Sequence, residues 1–260
     1  MSFFLHELGS IFLYLHDLWM AWLNRKERLL PLILQQIVLV AERSMGTILF
    51  TGLFVGAILV IQFQLMLSKY DATILIGGLS SSAIIREIGP LIISFLIAGK
   101  IGAFTAAELG TMKITEQIDA IKCLGVNPLE YVIIPRFIGI VFGTTILLFF
   151  GLLVGIGGSI FIAKYFYHIN PMQFLSSMPR FVSMWTLFGS FTKAFVFGMI
   201  VATVCTYYGL NTTGGARGVG KAVTKSAVYT NLFIVLANTF TTYILESFHS
   251  FLTWLSGGYL

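Results

Sequence analysis

Residues 132–163 read VIIPRFIGIVFGTTILLFFGLLVGIGGSIFIA, and those 32 residues hold one charged side chain, Arg136. Roughly 20 apolar residues at 1.5 Å rise each cross the hydrocarbon core of a bilayer. This run is longer than that, so it is expected to tilt or to extend past the core. Working outward, four more segments meet the same requirement: Met45–Leu67, Ile88–Ala107 (interrupted by Lys100), Trp185–Leu210 (interrupted by Lys193) and Ala227–Leu245, the last with a possible continuation to Leu255. Across all 260 residues, 57% are hydrophobic and 10% are charged, against about 25% charged in soluble domains. A soluble fold could not cover its surface with so few polar groups. The expectation is an all-α integral membrane protein with five transmembrane helices, one domain over residues 1–260.

The first 31 residues form a different pattern. Phe4, Leu8, Ile11, Phe12, Leu15, Leu18, Trp19 and Trp22 recur at helical spacing, with Glu7, Ser10, Asp17 and Asn24 mostly off that face, followed by Arg25, Lys26, Arg28 and Pro31. An amphipathic helix lying in the membrane interface and turning at Pro31 into the first span fits this, with a sixth span as the alternative. Glu7, His16 and Asp17 and the lack of a basic start argue against a signal peptide.

The net charge of +5 would suggest nucleic acid in a soluble protein, but here the basic residues flank apolar blocks and report orientation instead. Counted along the connections, Lys and Arg alternate 4, 2, 4, 2, 3, 0, and Lys193 completes the sixteen. The excess of positive charge marks the cytoplasmic side. The N-terminus and residues 108–131 and 209–226 are therefore expected in the cytoplasm, and the C-terminus outside. Gly52-x3-Gly56, Gly139-x3-Gly143 and Gly151-x3-Gly155 each put two glycines on one helix face, which permits close helix packing within or between chains.

Few motifs carry catalytic chemistry. Gly215–Ala222, GARGVGKA, fits G-x-x-x-x-G-K, but position 222 is Ala where a P-loop needs Ser or Thr for Mg²⁺, and a span precedes it where a strand is required. It reads as a cytoplasmic loop carrying Arg217 and Lys221 and opening the fifth helix. His6, His16, His168 and His249 lie in four separate places, and no Gly-x-Ser-x-Gly occurs. Cys123 and Cys205 are too few for a disulfide framework or a metal site. The sequon Asn211-Thr212-Thr213 falls on the expected cytoplasmic side. No catalytic residue, cofactor or metal ligand is assigned, and the chain reads as a non-enzyme.

Two polar features stand out. Arg86 and Glu87, in IREIGP, sit at the expected outer end of the second span. They mark either a boundary or a polar spot facing a cavity that meets a charged or zwitterionic substrate, with Gln62 and Gln64 at a similar depth. Lys100, deeper in the same span, is expected to snorkel to the inner interface. The second feature is AAELGTMKITEQIDAIKCLGVNP, residues 106–128, which carries Glu108, Lys113, Glu116, Asp119 and Lys122 between two oily blocks. From Thr111 to Leu124 it has helical period, with Ile114, Ile118 and Ile121 on one face. Gly125 and Asn127-Pro128 end it. A membrane-surface helix favours Lys and Arg on its polar face; both signs of charge beside an isoleucine stripe point to docking against a protein.

Arg86–Phe137, REIGPLIISFLIAGKIGAFTAAELGTMKITEQIDAIKCLGVNPLEYVIIPRF, closely resembles the signature of the MlaE-type permease family, and YYGLNTTGGARGVGKAVTKSAV, Tyr207–Val228, resembles that family's second characteristic stretch. The likeness covers nearly the whole chain, the N-terminal 30 residues by layout only. It implies a membrane subunit of an ABC transporter that moves phospholipids between the inner and outer membranes of diderm bacteria and maintains outer-membrane lipid asymmetry. It also implies a homodimer of permeases in the inner membrane, a separate cytoplasmic ATPase that binds ATP and Mg, and a periplasmic ring of MCE-domain proteins. By this resemblance Thr111–Leu124 is the coupling helix that receives the ATPase stroke. Arg86 and Glu87 match a polar pair near the lipid cavity at the dimer interface, and the lipid is expected in an outward-facing cavity between two copies, lined by the first, second and fifth spans. Two rivals remain. A stand-alone secondary transporter or channel would need intramembrane ionisable groups, and the charges inside the expected spans are Lys100, Arg136 near one end of the third, and Lys193, with no acid. A structural anchor for other subunits is the third reading.

Overall fold

The computed structural model describes residues 2–23 and 29–255, with side chains from residue 9 onward. The basic cluster Arg25, Lys26 and Arg28 lies outside the described residues. Among the described residues ten α-helices run in chain order: α1 Ser2–Leu23, α2 Leu30–Leu67, α3 Ile76–Ala83, α4 Gly89–Ile97, α5 Ala103–Ile114, α6 Gln117–Cys123, α7 Ile134–Tyr167, α8 Pro171–Ser177, α9 Met184–Leu210 and α10 Gly215–Leu255. No strand occurs among the described residues. Five helical runs are long and apolar enough to cross a membrane: Leu30–Tyr70, Thr73–Ile114, Leu129–Tyr167, Met184–Leu210 and Gly215–Leu255. The protein is an all-α, multi-pass membrane protein.

The helical runs are longer than the apolar blocks. The first begins at Leu30 instead of Met45, with Pro31 in its opening turn, where the missing N–H costs nothing. The second is the largest departure. Ile88–Ala107 was expected, and the run extends from Thr73 to Ile114, so Arg86 and Glu87 lie inside it rather than at its end. Residues 76–83, IGGLSSSA, look like a connection because they are small and polar. They fold as α3 because Gly77 and Gly78 lie so close to Phe174, Ser177 and Phe181 that a Cβ would clash. The buried Ser80 hydroxyl is satisfied by donating to the Ile76 carbonyl at 2.6 Å. Residues 215–226, expected as a loop, are the first turns of α10. That removes the last support for a P-loop there.

The chain forms two compact units, each built from pieces of the long helices. The first takes residues up to 44, 95–144 and 197–234. Its core joins Leu18 and Ala21 of α1, Leu29, Ile33 of α2, Leu109 of α5, and Val132–Ile134, with Tyr14 and Trp22 packed against it. One face of α1 is therefore buried, while Phe12 and Trp19 on the expected apolar face remain exposed. Gly139 and Gly143 of α7 lie against Gln36 and Val40 of α2, and the Arg43 guanidinium sits 4.1 Å from the centre of the Phe104 ring.

The second unit takes residues 45–94, 145–196 and from 235 onward. Here Gly52 and Gly56 of α2 face Gly151 and Gly155 of α7, backbone against backbone. The Ser159 hydroxyl bridges the contact, 3.0 Å from the carbonyls of both Gly56 and Gly155. Two of the three small-residue motifs thus meet each other within one chain. A second core collects Val60, Leu67, Ile76, Ala163 and Phe174. The connections near 115–128 and 211–214 fall in the first unit and those near 68–75 and 168–183 in the second, the alternate grouping that five spans require.

Candidate functional site

Arg86 and Glu87 lie in a π-helical turn, Ile84–Ile88, between α3 and α4. Such wide turns interrupt the regular ladder and recur at functional positions. The Glu87 carboxylate is fully engaged. Oε1 accepts from Lys193 Nζ at 2.5 Å and from Thr242 Oγ1 at 3.0 Å, and Oε2 accepts from Asn238 Nδ2 at 3.0 Å. Lys193 Nζ donates also to the Arg86 carbonyl at 2.9 Å and to Thr242 Oγ1 at 2.8 Å. Its side chain is 3% exposed and that of Glu87 39%. At the edge of this network Arg86 Nη1 pairs with Glu246 Oε1 at 2.9 Å, both side chains about half exposed. A buried charge is tolerated when it is paired and its hydrogen-bonding capacity is filled, and Lys193 has three acceptors for its three protons.

Beside this network lies a narrow cleft lined by Arg86, Glu87 and Lys193 together with Trp185, Ser190 and Leu245. Its free volume is about 30 Å³, room for about two water molecules. The Ser190 hydroxyl facing it has no protein partner among the described residues. Beside the cleft, the Arg86–Glu246 pair forms the exposed edge of the network.

The cleft is built by the second, fourth and fifth helical runs, and Gln62 and Gln64 do not line it. The helical runs are longer than the apolar blocks and carry acids, among them Glu87 in the second and Glu246 in the fifth. The residues overlooked are Lys193, Asn238, Thr242 and Glu246. Their signal was present: Asn238, Thr242 and Glu246 recur every four residues in an apolar helix, which places them on one face.

The charged stretch at residues 106–128 is two helices and not one. The second run ends at Ile114, the chain turns through Thr115 and Glu116, and α6 follows. Thr111 and Thr115 send their hydroxyls to the carbonyls of Ala107 and Thr111 at 2.8 Å, a local bond that bends helices. Glu116 then adopts the left-handed region, φ 60°, which ends helical propagation. Asp119 closes the turn, accepting from Lys122 Nζ at 3.1 Å and from Lys113 Nζ at 3.2 Å. Ile118 is buried, and Ile121 packs on the first unit's core. Ile114 is partly buried, so the isoleucine stripe faces inward, leaving Glu116, Lys122 and Leu124 exposed. Glu108 ties α5 to α7 through Arg136 Nη2 at 3.0 Å, and Arg136 Nη1 donates to the Val132 carbonyl at 3.0 Å.

The two lysines hold the Asp119 carboxyl below its ordinary value, chiefly through the hydrogen bond from Lys122 and then that from Lys113. A folded-state value below the unfolded one of about 3.9 means this contribution is full at neutral pH and fades as pH falls through the folded value. Amide protection across residues 113–123, measured relative to the intrinsic exchange rate at each pH, is therefore expected to fall below about pH 4. Asp119→Asn should show the lower protection already at pH 7.

A family model for the permease MlaE matches residues 33–244. A probable ABC transporter permease protein of Synechocystis is 37% identical over 244 residues, 94% of this chain and 89% of the relative. One of Rickettsia typhi is 31% identical over 216 residues, 83% of each chain. The chloroplast protein TRIGALACTOSYLDIACYLGLYCEROL 1 of Arabidopsis thaliana is 34% identical over 215 residues, 83% of this chain and 60% of the relative. With the family model spanning most of the chain and relatives of 31–37% identity matching 83–94% of it, the protein belongs to the MlaE permease family.

Proposed function

We propose that this chain is the membrane-spanning subunit of an ABC transporter that moves phospholipids between bacterial membranes and so maintains outer-membrane lipid asymmetry. It works as a homodimer in the inner membrane, N-terminus in the cytoplasm and C-terminus outside. A separate cytoplasmic subunit binds ATP and Mg and hydrolyses the nucleotide, and a periplasmic MCE-domain ring receives or delivers the lipid. The observation that carries this reading is the Glu87-centred cluster: a satisfied network of charge inside otherwise apolar helices, with Arg86 and Glu246 left at its exposed edge. A zwitterionic headgroup carries both signs of charge, and this edge offers both. The relatives named as ABC transporter permeases support the ATP-driven class, and the plant relative bears the name of a diacylglycerol lipid.

In this reading α6 and its flanking turn receive the ATPase. Glu108, Lys113, Asp119 and Lys122 hold the segment's shape, the isoleucines seat it on the permease, and Glu116 and Leu124 face the partner. ATP binding favours one of two arrangements of the spans, as any nucleotide-biased two-state element requires. Glu116→Lys with Asp119→Lys is expected to reduce co-purification of the cognate ATPase at least roughly tenfold, about 1.4 kcal/mol, because the first reverses the charge that faces the partner and the second breaks the turn that Asp119 holds to Lys113 and Lys122. Undiminished binding and transport would remove the coupling role. A stand-alone secondary transporter would move lipid without ATP or the partner, and that comparison separates the two.

A further inference from the structure

The first turns of α10 carry Arg217, Lys221 and Lys225, spaced four residues apart and all exposed on one face of the helix. Gly220 and Thr224 lie on the same open face between them. The placement is electrostatically unfavourable for an isolated helix. Like charges at i, i+4 repel, and cations at a helix N-terminus oppose the macrodipole. None of the three is ion-paired among the described residues. Within the chain beyond residue 130 the sole acid is Glu246, more than about 30 Å further along the helix from each of them at 1.5 Å per residue. No carboxylate of α10 itself can neutralise them.

The same exposed face continues as Val228 and Leu232, 59% and 43% exposed, while Ala222, Ser226 and Thr230 turn inward. Along one strip the helix therefore passes from three unpaired cations to bare aliphatic side chains at the point where the apolar span begins. That order matches an anionic phospholipid lying along the helix, phosphate at the cations and acyl chains on the aliphatic residues. Basic residues next to a span attract anionic lipid with about 1 kcal/mol each, close to fivefold.

We infer that the N-terminal turns of α10 form a binding site for an anionic phospholipid of the leaflet they meet, separate from the Glu87-centred cluster and independent of its role in transport. The test is native mass spectrometry of the full-length protein in detergent with phosphatidylglycerol or phosphatidylcholine added. The wild type should retain phosphatidylglycerol in preference to phosphatidylcholine, and the preference should weaken as ionic strength rises. R217Q/K221Q/K225Q should lose at least tenfold in phosphatidylglycerol retention with phosphatidylcholine unchanged, K221Q about fivefold, and R217K/K221R/K225R should keep it. If the glutamine variants retain phosphatidylglycerol as the wild type does, the site is refuted. If they lose only the co-purifying ATPase, the strip is a protein contact and the inference also fails.

Discussion

Glu87→Ala is expected to abolish lipid transport and to lower the stability of the folded protein by about 3–5 kcal/mol, the usual cost of breaking a buried ion pair from one side. The reason is what it leaves behind. Lys193 is 3% exposed, so its ammonium cannot turn to water when the carboxylate goes. Asn238 Nδ2 loses its acceptor as well. Lys193→Met should cost less, because it removes the more deeply buried charge and leaves Glu87, which is 39% exposed and can be hydrated. The double variant Glu87→Met/Lys193→Met should recover most of the stability, since apolar groups of similar volume often replace a buried pair without loss. It should not recover transport. Thermal unfolding in detergent and a reconstituted transport assay read the two effects separately. A boundary marker would give a small stability change in Glu87→Ala and wild-type transport.

The second large effect is expected at the glycine contact of α2 and α7. A Cβ at Gly56 would be driven into the main-chain oxygen of Gly155, with Ser159 Oγ also too close. Neither a rotamer change nor a flexible neighbour relieves a clash with backbone, so the helices must separate and the Ser159 bond to the Gly56 carbonyl is lost. Gly56→Ala should therefore destabilise by about 3 kcal/mol, at the upper end of ordinary overpacking. Gly46, in the same helix, has nothing within 4 Å of an added Cβ. Gly46→Ala should be neutral or stabilising by up to about 1 kcal/mol, the helix-propensity gain. Equal melting temperatures for the two variants would contradict the backbone contact.

Hydropathy made the number and order of the spans legible because lipid demands about 20 apolar residues per crossing. Helix length was less legible. Residues 76–83 and 215–226 are small and polar, which propensity reads as connection, yet the first bury against α8 and the second continue a helix whose apolar half lies further on. The family signature and the charged stretch before Pro128 were visible, and so was the mixed charge of that stretch. The break at Glu116 was not, because a left-handed glutamate leaves no periodicity signal. At the candidate site Arg86 and Glu87 could be picked out as charges beside an apolar block. Their partners could not be ranked so easily. Lys193 looks like an interruption of a span until Glu87 is known to lie inside one, and Asn238, Thr242 and Glu246 gain meaning only when the helix they share faces that carboxylate.

The most direct test of the account is transport of labelled phospholipid in proteoliposomes holding this chain and its cognate ATPase, with the Glu87→Met/Lys193→Met variant beside the wild type. The wild type should transport lipid only with ATP. The variant should fold and still co-purify the ATPase but move no lipid. Wild-type transport rates in the variant, or lipid movement by the wild type without ATP, would contradict the account.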